Sequence, residues 1–334
     1  ERDLAKVEAT GSNPVNRSIF WRKMKFLYAF IFIIFSTVNF SETCIKSKWG
    51  PDDEIGNANL INSESVLKAS KLITKGKTYS LGLIIDKDTP AYPPRSIELT
   101  IVQPFQQYGA GEDVYPNLAA NDDIFNGWFG VGSQIDGLGH IGSPEGIFYN
   151  CFNGKDFAQI TGLTKLGIEK IPPLVARGVL INMADFFQVP YLDKGDTFDL
   201  EDVKKAMDNQ KISVKKGDVV LFHTGWTEAK LLSEPKEWGE GAPGMMPDVA
   251  LFLAEKEVIA VGADTWSLDV VPVMDEREPF PVHPILLKDN GIYILEAMNT
   301  GELAEDKVNE FLFILGPAKV RGAVQMIVNP IAIR

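Results

Sequence analysis

Histidine is scarce in this chain, so its three positions, His140, His223 and His283, are informative. His140 closes the stretch "GWFGVGSQIDGLGH" (127–140), four residues after Asp136 and six after Gln134. If "SQID" is extended, side chains alternate and Gln134 and Asp136 face the same way. Gly137 and Gly139 then let the chain bend and return His140 toward Asp136. A carboxylate, an amide oxygen and an imidazole could meet at one point, which suits a metal ion or a general base. The same residues also suit an ordinary loop with a surface histidine.

A second constellation lies in "PVHPILLKDNGIYILEAMN" (281–299), with His283 before a short helical segment and Glu296 after the apolar "IYIL". An acid directly after four buried-type residues is costly unless it is paired or bound to a cation. Asp136, His140, His283 and Glu296 are residue types that a hard or borderline divalent ion accepts. The competing reading, that Glu296 pairs with Arg177 or caps a turn, stays open on spacing alone. His223 follows "VVLF" without a second ligand nearby in sequence and reads as structural or pocket-lining; Arg177 reads as a structural ion pair. Asp264 ends "VIAVGA", where α/β sheets often place sites, or it caps the following turn. Trp128, Phe129 and Trp226 near strand ends could line a pocket or pack in the core. There is no G-x-S-x-G elbow and no P-loop, which argues against a serine hydrolase and an NTPase. Cys44 and Cys151 lack the spacing of a cysteine-ligated zinc site, but they could pair in an oxidising compartment.

The elements that must position these groups are read from apolar runs. Strands are expected at 78–85, 96–102, 177–183, 218–224, 258–264, 291–298, 311–315 and 324–333. Helices are expected at 63–73 with Ser63 as cap, at 199–210 behind an acidic start, and at 246–257 with Pro247 in the first turn. This order predicts one α/β domain around a mixed sheet. The segment 104–130 is poor in regular signals and is expected to be a substrate-side loop. The net charge of −12 argues against a nucleic-acid partner. Near the N-terminus, Arg22, Lys23 and Lys25 precede "FLYAFIFIIF" (26–35), too short to span a bilayer and arranged as a secretory signal. The expected organisation is an upstream segment 1–23, a signal peptide 24–43 starting at Met24, and a domain 44–334. The protein is then secreted or periplasmic, with no membrane attachment after signal removal.

From Trp49 to the C-terminus the chain resembles the cyclase-type metal-dependent hydrolase family, which includes bacterial kynurenine formamidase and isatin hydrolase. The likeness is carried by "WGPDDEIGNANLI" (49–61), "VGSQIDGLGH" (131–140), "ARGVLINMADF" (176–186) with "GDVVLFHTGW" (217–226), and "VHPILLKDNGIYILEAMN" (282–299). The family signature, His-x-Gly-Thr-His-x-Asp-x-x-x-His, falls on Gly130 to His140; Asp136 and His140 match, while Gly130 and Gln134 replace two histidines. The resemblance implies a swivelling β/β/α-type single domain around a mixed β-sheet, usually assembled as a homodimer or homotetramer. It implies Asp136 as metal ligand, His283 and Glu296 as the distal ligand pair, and His140 as general base or second ligand. Gln134 can still offer an amide oxygen. An oxygen-richer site shifts preference from zinc toward manganese or magnesium, with His283 keeping zinc in play. The implied reaction is hydrolysis of a small-molecule amide, lactam or lactone. The alternatives are a binding protein on the same fold that lost its chemistry with the two histidines, and a cyclase or lyase on the same scaffold.

Overall fold

The computed structural model describes residues 44–103 and 120–334. The signal-peptide expectation and most of the expected substrate-side loop lie outside the described residues. In chain order, helix α1 spans Ser63–Ser70, strand β1 Thr78–Ser80, β2 Ile97–Val102, β3 Asp122–Gly127, β4 Gln134–Asp136 and β5 Leu174–Asn182. Helix α2 spans Leu200–Gln210, β6 Val219–His223, α3 Trp226–Lys230, α4 Pro247–Glu255 and β7 Ala260–Ala263. A single α-turn, α5 (Val282–Pro284), runs into a π-turn at Ile285–Asp289; then follow β8 (Tyr293–Glu296), β9 (Glu310–Leu315), β10 (Gln325–Ile327) and β11 (Ile331–Ile333).

Nine strands form one mixed sheet in the order β1-β11-β9-β5-β6-β7-β8-β4-β10. The four central strands, β5 to β8, are mutually parallel. Their residues Val179–Ile181, Val219–Phe222, Ala260–Val261 and Tyr293–Leu295 are buried without interruption. Strands covered on both faces need no polar alternation, and so they stand out in the sequence as apolar runs. The flanking pairs are antiparallel, including β8 with β4 and β4 with β10. This is the mixed α/β architecture expected from the order of apolar runs.

Four local expectations are corrected. Helix α1 is capped by Asn62 rather than Ser63: the Asn62 side chain accepts from the Glu64 and Ser65 amides, and Ser65 completes a capping box. The run from Thr78 leaves the sheet after Ser80, because the Gly82 amide donates to Asn329 Oδ1 (2.9 Å) and the Leu83 amide to Ser133 Oγ (2.8 Å). The C-terminal run breaks into β10 and β11 around Pro330, which has no N–H to give a ladder. Within the expected loop, residues 122–127 are instead strand β3, paired antiparallel with β2. Both faces of β3 are exposed, and Asp122, Asp123 and Asn126 hide its strand character.

Cys44 and Cys151 are joined in a disulfide, with their Cα atoms 5.5 Å apart. The bond belongs to a local clasp. The Asn150 amide donates to the carbonyls of Gly50, Pro51 and Asp53, and the Tyr149 hydroxyl donates to Asp53 Oδ2 (2.6 Å). The segment "WGPDDEIGN" is thereby fastened to the short turn Tyr149–Cys151.

Candidate functional site

Strand register alone assembles most of the site. Gln134 and Asp136 are two apart on β4 and therefore share a face. Glu296 on β8 lies directly opposite Gln134, and Gln325 on β10 directly opposite Asp136, so all four side chains project from one side of the sheet. α5 then lowers His283 onto them, and the turn Gly137–His140 brings His140 back.

The cluster is nearly dry: Asp136, Gln134, Glu296 and His283 are all buried. Ligand atoms of Asp136, His283 and Glu296 lie within 4.8 Å of one another. His283 Nε2 is 3.3 Å from Glu296 Oε1 and 3.8 Å from Asp136 Oδ2, and His140 Nε2 is 4.0 Å from the same Oδ2. Glu296 does not reach Arg177, whose guanidinium instead pairs with Glu310 (3.1 Å) and lies 3.7 Å from Asp218.

Asp269 is a member that sequence reading missed. Its Oδ2 is 2.6 Å from His283 Nδ1, and its Oδ1 accepts from the Val282 amide at 2.9 Å. The carboxylate therefore holds the ring so that Nε2 faces the cluster. Asp269 lies in an irregular stretch fourteen residues before His283, where no periodicity marks it. Gln325, also missed, donates from Nε2 to Asp136 Oδ1 at 2.6 Å. Gln134 donates from Nε2 to Glu296 Oε2 (2.6 Å) and to Asp136 Oδ1 (3.3 Å). Its amide thus braces the two carboxylates. Offering its oxygen as a ligand would require the amide turned over, with two oxygens 2.6 Å apart.

Protonation follows from burial and neighbours. Burial pushes Glu296 up to about 7, and the Asp136 charge adds to the effect. Burial disfavours the His283 cation, but the hydrogen bonds to Asp269 and Glu296 outweigh it and lift the group to about 10. Burial lowers His140 against the pull of Asp136, so its ring is neutral at neutral pH and free to accept a proton.

Within this cluster one atom is out of balance. Asp136 Oδ2 is fully buried and has no hydrogen-bond partner. An unsatisfied buried acceptor costs about 1–3 kcal/mol, and more when charged. It faces two imidazole nitrogens at 3.8 and 4.0 Å, too far for hydrogen bonds. Ligands about 2.1 Å from one ion sit roughly 3–3.5 Å from each other. The donor set Asp136 Oδ2, His283 Nε2 and Glu296 Oε1 therefore fits a divalent cation.

A second group, His223, Glu228 and Asp264, also brings potential ligand atoms within 4.8 Å. Here Asp264 is already engaged: it accepts from the Thr224 amide (2.9 Å), the Thr224 hydroxyl (2.7 Å) and the Gly225 amide (2.7 Å). It holds the turn after β6 rather than the turn after its own strand. His223 bonds through Nδ1 to Thr300 Oγ1 at 2.8 Å, in keeping with its structural reading. Trp226 is core, packed beside Trp238, whereas Trp128 is exposed.

Residues 79–270 match the family model Cyclase, described as "Putative cyclase", and the chain belongs to that family. Its fold is shared with a solved crystal structure of a novel cyclase at a TM-score of 0.75 and 30% identity, covering 86% of this chain and 98% of that one. Isatin hydrolase A from Ralstonia solanacearum superposes at a TM-score of 0.57 with 17% identity, covering 82% and 98% of the two chains. Among curated proteins, the isatin hydrolase of Roseibium aggregatum is 27% identical over 107 residues. That alignment takes in 30% of this chain and 40% of the relative's length.

Proposed function

We propose that this chain is a metal-dependent hydrolase that cleaves a C–N bond in a small amide or lactam, or a C–O bond in a lactone. The observation that carries the reading is Asp136 Oδ2, buried, unpartnered and facing His140, His283 and the Glu296 carboxylate. Asp136, His283 and Glu296 would hold the ion, zinc or manganese by donor type, with magnesium a weaker match to the imidazole. A bound divalent ion supplies a Lewis acid for the substrate carbonyl and lowers the pKa of water. Asp269 keeps His283 Nε2 turned toward the cluster. His140, neutral and with its side chain 16% exposed, would take a proton from the attacking water and return it to the leaving group. Gln134 and Gln325 fix the carboxylates so that they need not reorganise. Membership in a family with an isatin hydrolase relative supports the reaction class.

The amide bonds of Gln134 and Gln325 also favour a second reading, because they neutralise much of the acid cluster without an ion. On that reading the chain is a small-molecule binding protein on a hydrolase fold. Metal analysis of purified protein, combined with a screen of N-formyl aromatics, lactams and lactones, separates the two. The hydrolase is expected to carry metal and to lose turnover on chelation; protein with neither metal nor turnover would leave the binding reading. We further propose an exported homo-oligomer. Mass spectrometry of the exported form should show a mature chain starting between about residues 37 and 46, and retention of Phe26–Phe35 would refute this.

A further inference from the structure

Arg95 places a cation where a side chain is missing. A Cβ built on Gly130 would lie 2.6 Å from Arg95 Nη1 and 2.8 Å from Gln325 Oε1, so the guanidinium occupies the space that Gly130 leaves empty. Nη1 donates to the Gly130 carbonyl at 3.2 Å. A guanidinium has five N–H donors, and among the described residues no carboxylate forms an ion pair with Arg95. Its charge is nevertheless felt at both His140 and Glu296.

An aromatic wall continues from this cation. The Arg95 guanidinium carbon is 5.9 Å from the Tyr92 ring centre. Tyr92 lies 6.0 Å from Trp266 and 6.2 Å from Phe280, and Phe280 is 5.9 Å from His283. The cleft bordered by Tyr92, Arg95, Gly132, Trp266 and Glu296 holds about 10 Å³, the room of a single water-sized group.

We propose that Arg95 is the anion-binding residue of this site and takes the carboxylate of an aromatic carboxylate ligand, the type of molecule released when an aroyl amide or an aryl-fused lactam or lactone is hydrolysed. The choice of a carboxylate rests on the hydrolytic reading; the cation and the wall do not. Arginine suits the task because its planar fork matches a carboxylate through two parallel hydrogen bonds. An alternative duty, balancing the buried Asp136 and Glu296 charges from a distance, would affect metal content and stability. It would not discriminate between a carboxylate and a neutral amide of the same shape.

Calorimetric titration of the full chain with benzoate and with benzamide tests this, both as purified and after chelation, with metal content read on each sample. Benzoate is expected to bind about tenfold or more tightly than benzamide, the worth of a charge-assisted pair. Arg95→Met should bring benzoate down to the benzamide level and leave benzamide unchanged. Gly130→Ala provides a variant that keeps the charge. Its new Cβ meets only the ends of two flexible side chains, so the fold is retained while the guanidinium must move, and benzoate should weaken again. Should Arg95→Met fail to fold, Gly130→Ala decides. Selectivity that survives these variants, or wild-type protein with no selectivity, overturns the proposal. Arg95-dependent selectivity in protein without metal or turnover would uphold it while removing the hydrolase reading; metal and turnover without that selectivity would do the reverse.

Discussion

Asp136→Asn should change stability in opposite directions with and without metal. Asparagine is isosteric, and its Oδ1 can keep the bonds from Gln325 (2.6 Å) and Gln134 (3.3 Å). The unpartnered Oδ2 becomes an NH₂ facing His283 Nε2 (3.8 Å), His140 Nε2 (4.0 Å) and the Glu296 side. In chelator the substitution removes a buried unsatisfied acceptor, about 1–3 kcal/mol. It also removes the charge that helps push Glu296 up to about 7. For a domain of this size each kcal/mol moves Tm by roughly 2–4 °C, so the metal-free variant should melt a few degrees above metal-free wild type. With metal at about 100 times Kd, wild type gains roughly 2.7 kcal/mol, and the variant, lacking a ligand, gains little. The order of the two melting curves should therefore reverse between chelator and metal. Scanning calorimetry with zinc, manganese or EDTA reads this directly. If Asp136→Asn melts lower than wild type in EDTA and still rises with metal, Oδ2 is neither strained nor a ligand, and the site is wrongly drawn.

His140→Ala should keep most of the metal while turnover on the substrate found by screening falls by about 10²–10⁴-fold; metal loss equal to that of Asp136→Ala would make His140 a ligand. Gln134→His should tighten zinc binding, since position 134 faces Asp136 and Glu296, and it removes the amide that braces them; unchanged zinc affinity would argue that the new ring cannot reach an ion. Asp269→Asn in chelated protein should drop the His283 midpoint from about 10 toward an ordinary histidine value, because the largest favourable contribution to its cation is the Asp269 bond. Histidine ring shifts by NMR report this midpoint, and a value still near 10 would mean that Glu296 alone holds the proton.

The central sheet was legible because parallel strands buried on both faces demand uninterrupted apolar residues, and β5 to β8 have them. Gln134 and Asp136 could be assigned a common face from the two-residue period of a strand. That His140 turns back rested on two glycines, and the structure brings it to 4.0 Å from Asp136. The β3 strand was hidden because its exposed faces carry Asp122, Asp123 and Asn126, which read as loop. The site partners split in the same way. Glu296 betrayed itself as an acid ending an apolar run, a placement that requires a partner wherever the strand goes. Asp269, Gln325 and Arg95 sent no such signal, since an acid in an irregular stretch, an amide opening a strand and an arginine after two prolines are all ordinary locally. Their roles come from register and from loop paths: β10 pairs with β4 so that Gln325 meets Asp136, and the chain before β2 runs close enough to fill the hollow at Gly130. Local sequence determines which residues must be buried and which way a strand presents them. Which distant side chains share a dry cavity is decided only by strand pairing, whose partners lie 162 and 189 residues away for Gln134 and Asp136.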